Sequence, residues 1–138
     1  MYISISSLQK INTTWWILKI TYGLLFILSG ADKFLNLIVN WQKYISPTLL
    51  SMLHISPVII ALIAGLVEVA LGIAILSPKN TKLGAYLVVG WMLIMIANLL
   101  SMHSYYDIAI RDFFIMIGAF TLAQLTIIRE RISTEEAI

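Results

Sequence analysis

LGAYLVVGWMLIMIANLLSM, Leu83 to Met102, contains no formally charged residue. A helix needs about 20 apolar residues to cross the hydrocarbon of a bilayer, and this stretch is long enough to do so. Working outward, Val58 to Leu76 is equally apolar but holds one acid, Glu68. Pro57 and Pro78 bracket it, where a proline suits a first helical turn and stops a helix from continuing. Trp15 to about Phe34 is a third candidate, interrupted by Lys19 and ending in Asp32 and Lys33. The fourth, Ile108 to Ile128, carries Arg111 and Asp112 in its first turn and runs apolar from Phe113 onward. The expected fold is therefore an all-α membrane protein, a single four-transmembrane-helix bundle over residues 1–138 with spans at about 15–34, 58–76, 83–102 and 108–128.

Composition supports that reading. Of 138 residues, 60% are hydrophobic and 12% charged, more apolar surface than one soluble core of this size can hide. The absence of cysteine excludes disulfide scaffolds, Cys-ligated metal centres and dithiol chemistry. Nine basic residues stand against seven acids, scattered singly, so no nucleic-acid surface is indicated. Ser29-Gly30-Ala31 has the small side chains of a signal cleavage site, but the apolar stretch is long for a signal and contains Lys19, which favours a span.

Four spans put both termini on one side with the Ser77–Lys82 loop. Lys10, Lys19, Lys79, Lys82, Arg129 and Arg131 fall on that side, and Lys33, Lys43 and Arg111 on the other. The positive-inside rule then makes both termini cytoplasmic. The segment from Leu35 to Pro57 is too long for a hairpin and too apolar for a solvated loop, so it is expected on the extracytoplasmic interface, with Trp41 and Tyr44 in the headgroup layer and Pro47 dividing it. Lys19 is expected to snorkel to the cytoplasmic interface, and the polar tail from Arg129 to Ile138 to fray.

In so apolar a chain the polar residues are the informative ones, because a charge at the bilayer centre costs about 2.5–3.5 kcal/mol even on a lenient scale. Glu68 lies roughly 15 Å into its helix. Ala61, Gly65 and Gly72 share its face, a seam where another helix can approach closely. Buried there, Glu68 is expected to be protonated or paired with a cation, and it is the catalytic candidate. The binding candidates gather toward the outer ends: Asp32 and Lys33 in the first span, Trp91 and Asn98 on one face of the third, Tyr106, Asp107, Arg111 and Asp112 at the start of the fourth. Asp32 and Asp112 are expected to hold Arg111. The bland alternatives are an Asp32–Arg111 fastener, carboxylates at a helix N-terminus and interface tyrosines at 105 and 106. His54 and His103 lack ligand spacing, and no metal site is expected.

The run Gly30-Ala31-Asp32-Lys33-Phe34, then Asn40-Trp41-Gln42-Lys43-Tyr44, then Glu68 and Gly72, then Tyr105-Tyr106-Asp107-Ile108-Ala109-Ile110-Arg111-Asp112, resembles the DoxX-like family over roughly residues 15–128. The resemblance implies a four-helix bundle in a bacterial inner membrane. It also implies a link to redox complexes, since relatives include a membrane subunit of thiosulfate oxidation that passes electrons to quinone. The bundles of vitamin K epoxide reductases look similar, but their CxxC mechanism cannot operate in a chain without cysteine.

Two functions are expected to compete. One is the membrane subunit of a quinone-linked oxidoreductase, not autonomous because the chain shows no haem or flavin motif, with Glu68 exchanging protons and a redox partner protein supplying electrons. The other is a non-catalytic module that binds a lipid, a small anion or a secreted partner. Transport is a weaker third, since no broken helix or half-repeat points to alternating access.

Overall fold

A computed structural model describes residues 4–135, and these are helical with short connections. Helix α1 (Ile5–Leu35) begins behind Ser4, whose hydroxyl accepts from the Ser7 backbone N–H at 3.2 Å. It ends at Asn36, which adopts the left-handed conformation at φ 48°. A 3₁₀ turn (Trp41–Tyr44) and helix α2 (Pro47–Leu53) follow. Helix α3 (Pro57–Leu76) has Pro57 in its first turn, as the sequence predicts, and Ser56 caps it. Helices α4 (Thr81–Ser101) and α5 (Tyr106–Glu135) complete the chain. Four of these, α1, α3, α4 and α5, are long and apolar enough to cross a membrane. Leu28, Leu66, Ile94 and Phe114 lie exposed along their outer faces, the surface a bilayer would cover.

Two helices outrun their predicted spans. At roughly 1.5 Å per residue α1 is about 46 Å long, more than the hydrocarbon requires. Helix α5 continues through Arg129 to Glu135, where fraying was expected; residues 136–138 lie outside the described residues. Contacts across the bundle hold those turns. The Arg129 guanidinium lies over the Trp15 ring, 4.0 Å from its centre, and Glu130 accepts from the Lys82 ammonium at 2.6 Å.

Helices α1 and α3 run antiparallel with their backbones in near contact. A Cβ placed on Gly30 would lie 2.6 Å from the Gly65 carbonyl oxygen, and one on Gly72 would lie 2.6 Å from that of Gly23. The predicted seam of Ala61, Gly65, Glu68 and Gly72 is thus the buried face of α3. Helix α4 packs broadly on α5, while α1 and α5 meet over a shorter stretch. There the Trp15 indole N–H donates to the Thr126 hydroxyl at 2.8 Å, and the Tyr22 hydroxyl donates to the Ile115 carbonyl at 3.0 Å. Beyond Tyr22 the two helices part.

The Leu35–Pro57 segment is strapped to the bundle. Asp32 accepts from the backbone N–H groups of Leu37, Ile38 and Val39 at 2.9–3.2 Å, and from the Trp41 indole at 2.7 Å. Trp41 therefore turns toward Asp32, half-buried at the end of the cavity. Tyr44 stands edge-on to Tyr105, with ring centres 4.8 Å apart. Ser46 is buried, its hydroxyl 2.9 Å from that of Ser101.

Candidate functional site: a lipid-facing cavity walled by ion pairs

Glu68 lies about 16 Å from the start of α3, and the small residues around it bring α1 close enough for Lys33 and Ser29 to reach it. One carboxylate oxygen accepts from the Lys33 ammonium at 2.6 Å and from the Ser29 hydroxyl at 3.0 Å. The other accepts from the Trp91 indole N–H at 3.1 Å. Lys33 also donates to Ser29 at 3.4 Å and lies 3.6 Å from the centre of the Trp41 ring. Lys33 and Glu68 are each only 3% exposed. Two ions this deep repay their lost hydration only when every remaining hydrogen-bonding position is satisfied, and this network does so. Among the described residues no buried side-chain nitrogen or oxygen lacks a partner.

Beside this network α1 and α5 diverge around a cavity of about 340 Å³. Phe26, Met92, Met95 and Ile115 form apolar wall, and Ser29, Lys33, Glu68, Arg111 and Asp112 form its polar part. Leu25 and Leu28, both exposed, stand at its edge, so it opens sideways toward lipid. Trp41 and Val39 close it toward the strap, and a smaller hollow of about 60 Å³ continues past Tyr44 and Leu99.

Asp112 is buried and faces the bundle with Ala119 and Ala123. Arg111, on the neighbouring stripe with Phe114, has a side chain 60% exposed and bends back to donate to Asp112 at 3.0 and 3.2 Å. Only the Asp112 face of α5 points inward, where sequence periodicity left both faces eligible.

Six of the predicted residues meet around this region, and three do not. Asp32, Lys33, Glu68, Arg111 and Asp112 line the cavity. Trp91 stands behind Glu68 as a donor and is not in the wall. Asn98 is spent on the strap: its side-chain carbonyl accepts from the Ser46 N–H at 3.0 Å, and its amide donates to the Tyr44 carbonyl. The expectation that Trp91 and Asn98 share a cavity is thereby corrected, because the strap supplied Asn98 with nearer partners. Tyr106 and Asp107 are exposed in the first turn of α5, away from the wall. The Asp32–Arg111–Asp112 grouping does not form either. Four donors from the strap already fill the Asp32 carboxylate, and Arg111 pairs with Asp112 alone.

Sequence reasoning missed Ser29 and Trp41 as site residues. Ser29 and Lys33 stand four apart on α1, which puts them on one face, and that spacing was the available signal. Lys19 is buried and reaches the end of α3, donating to the Ser77 carbonyl at 3.2 Å near the indoles of Trp15 and Trp16. His54 and His103 each hold a left-handed backbone at the end of a helix, at φ 54° and 50°.

No curated protein and no solved structure matches the chain. The DoxX family pattern matches residues 14–104, which include Ser29, Lys33, Glu68 and Trp91 and stop short of Arg111 and Asp112. That match covers well over half of the sequence and takes in three of the four apolar helices that build the cavity, so the chain belongs to the DoxX family.

Proposed function

We propose that this DoxX protein is the membrane subunit of a quinone-linked oxidoreductase and that the cavity between α1 and α5 receives the quinone head group. One observation carries the reading: an apolar-walled recess opens toward lipid and has ion pairs set in its wall. Its volume of about 340 Å³ falls in the range of small-molecule sites. A quinone arrives through the lipid, offers carbonyl acceptors on an apolar ring, and takes up electrons and protons together. On one wall a quinone carbonyl takes the place of Ser29 on the Lys33 ammonium, whose bond to that hydroxyl is long at 3.4 Å, and Arg111 offers a second cationic donor near the mouth. Glu68 touches both Lys33 and Ser29 and is the group that exchanges protons with the cavity. Asp112 orients Arg111. Electrons come from a redox partner protein.

In this reading the protein is a multi-pass protein of the bacterial inner membrane with cytoplasmic termini, which puts the cavity in the outer half of the bundle. Single cysteines at Ser77 and His54, in a chain with none of its own, test the orientation with an impermeant reagent. Labelling of the His54 variant alone is expected; labelling of the Ser77 variant alone reverses the topology.

A second reading, a non-catalytic module binding a lipid, a small anion or a secreted redox partner, is favoured by the completeness of the Glu68 network. A carboxylate already bonded to three groups on α1 and α4 also serves to fasten helices. Native mass spectrometry of gently solubilised protein separates the two. The first reading expects a retained quinone mass, lost when Ile115→Trp fills the cavity. It also expects Glu68→Gln to stop proton-coupled turnover in a protein that still folds. A protein that retains no quinone, and whose turnover survives Glu68→Gln, sinks it.

A further inference from the structure

At the opposite end of the bundle α1 and α5 meet again, and there, among the described residues, they bring cations together without an acid. Trp15 is buried between them, and two positive groups lie on its indole. The Lys19 ammonium is 4.7 Å from the ring centre and the Arg129 guanidinium 4.0 Å. Lys19 donates to the Ser77 carbonyl, which satisfies a hydrogen bond but leaves the charge uncancelled. Arg129 makes no hydrogen bond and no ion pair among the described residues.

A notch of about 180 Å³ opens beside Arg129. Leu8, Ile11 and Ile132 are its apolar walls, and Asn12, Arg129 and Ser133 are its polar edge. Among the described residues, the carboxylates of this end sit on the other side of α5. Glu130 is bonded to Lys82 at 2.6 Å, and together with Glu135 it borders a separate recess shared with Arg131. Among the described residues one helix end is thus divided, with mixed charge toward α4 and cations alone toward α1.

Two like charges on one ring repel each other, and no described side chain in the notch offsets them. An anion bound there would. Arg129, Asn12 and Ser133 can all donate to it, and the apolar walls suit an acyl chain rather than a solvated ion. Depth agrees, because Arg129 directly follows the uncharged run Phe113–Ile128 and so stands where hydrocarbon gives way to phosphates. We infer that this notch binds the phosphate of an anionic phospholipid head group, with Arg129 as its main ligand and Asn12 and Ser133 at its rim. Lys19 strengthens the field from beneath. Basic recesses between membrane helices are the usual seats of such head groups.

The test is native mass spectrometry of the full-length protein in detergent, offered equal amounts of dioleoyl phosphatidylglycerol and dioleoyl phosphatidylcholine. Phosphatidylglycerol is expected to be retained about thirtyfold more, as two added cations near a surface imply. Arg129→Gln should cut that preference about fivefold. Because Arg129 also packs on Trp15, Ser133→Glu provides a second variant that adds a negative charge at an exposed position without removing a contact. It should cut phosphatidylglycerol retention several-fold, while Thr134→Glu, in the other recess, should leave it unchanged. Equal retention of the two lipids by the unmodified protein, or full retention in both Arg129→Gln and Ser133→Glu, overturns the inference. Inorganic phosphate alone raising the melting temperature as far as phosphatidylglycerol would overturn the lipid assignment in favour of a free anion.

Discussion

Lys19 and Lys33 lie on the same helix and are hidden to the same 3%, yet the bundle neutralises them in different ways. Lys33 meets a carboxylate, with Ser29 and Trp41 completing its surroundings. Lys19 meets a carbonyl at the end of α3 and the faces of two indoles. Position explains the difference. The last carbonyls of a helix have no partner within it and carry the negative end of its dipole, so a lysine within reach of Ser77 needs no acid. Lys33 stands in the last turn of α1, but its ammonium reaches back past Ser29 to Glu68, midway along α3, and there a counter-ion rather than a carbonyl answers the charge. A carboxylate–ammonium pair beside a cavity can move protons. A lysine bound to a carbonyl can only hold its place, which is why the functional reading falls on the Lys33 half.

The comparison breaks most visibly at Glu68. Glu68→Leu strands Lys33, and a loss of about 3–5 kcal/mol is expected on unfolding in mixed micelles. Lys33→Met combined with Glu68→Leu should recover most of that, because no lone charge remains. If Glu68→Leu cost no more than Lys19→Met, the two lysines would be equivalent and the distinction would fail.

Next in size is Gly65→Leu. Its first carbon would already lie 2.8 Å from the Gly30 carbonyl oxygen and 2.9 Å from Lys33 Cβ, so α1 and α3 must separate. A cost of about 3 kcal/mol is expected, together with loss of the Lys33–Glu68 contact. Nitrogen NMR of the Lys33 ammonium would report that loss, and an unchanged signal would mean the seam does not set the pair.

Asp32→Ala acts on the strap. Removing the acceptor of four hydrogen bonds should cost roughly 2 kcal/mol and raise amide exchange at Leu37, Ile38 and Val39, with little change near Ser77. Exchange rising equally at both ends would show that Asp32 supports the whole bundle. The smallest effect is expected from Lys19→Met, about 1 kcal/mol or less, since a carbonyl at a helix end can turn to water or lipid headgroups.

Several of these features were legible in advance, for a common reason. The spans and the Ala61–Gly72 seam depend on periodicity along one helix, which neighbours in sequence define completely. That Glu68 must be either protonated or paired also followed from its depth alone. The choice of Lys33 did not, because it depends on the rotation and register of α1 against α3. Asn98 and Asp32 illustrate the same limit. Both read as cavity residues by face and depth, and both were claimed by backbone groups of a strap whose path no local rule describes.

By itself, then, the sequence determined that the chain is a bundle of membrane helices, where its close seam runs, and that one mid-depth acid had to be answered. These follow from the cost of exposing charge and backbone to hydrocarbon. Only the tertiary structure decided that α1 and α5 part beyond Tyr22, which residues wall the resulting cavity, and that Arg111 turns back to Asp112. Contacts between separate helices depend on how their side chains interdigitate, and that is set by the whole packed bundle at once.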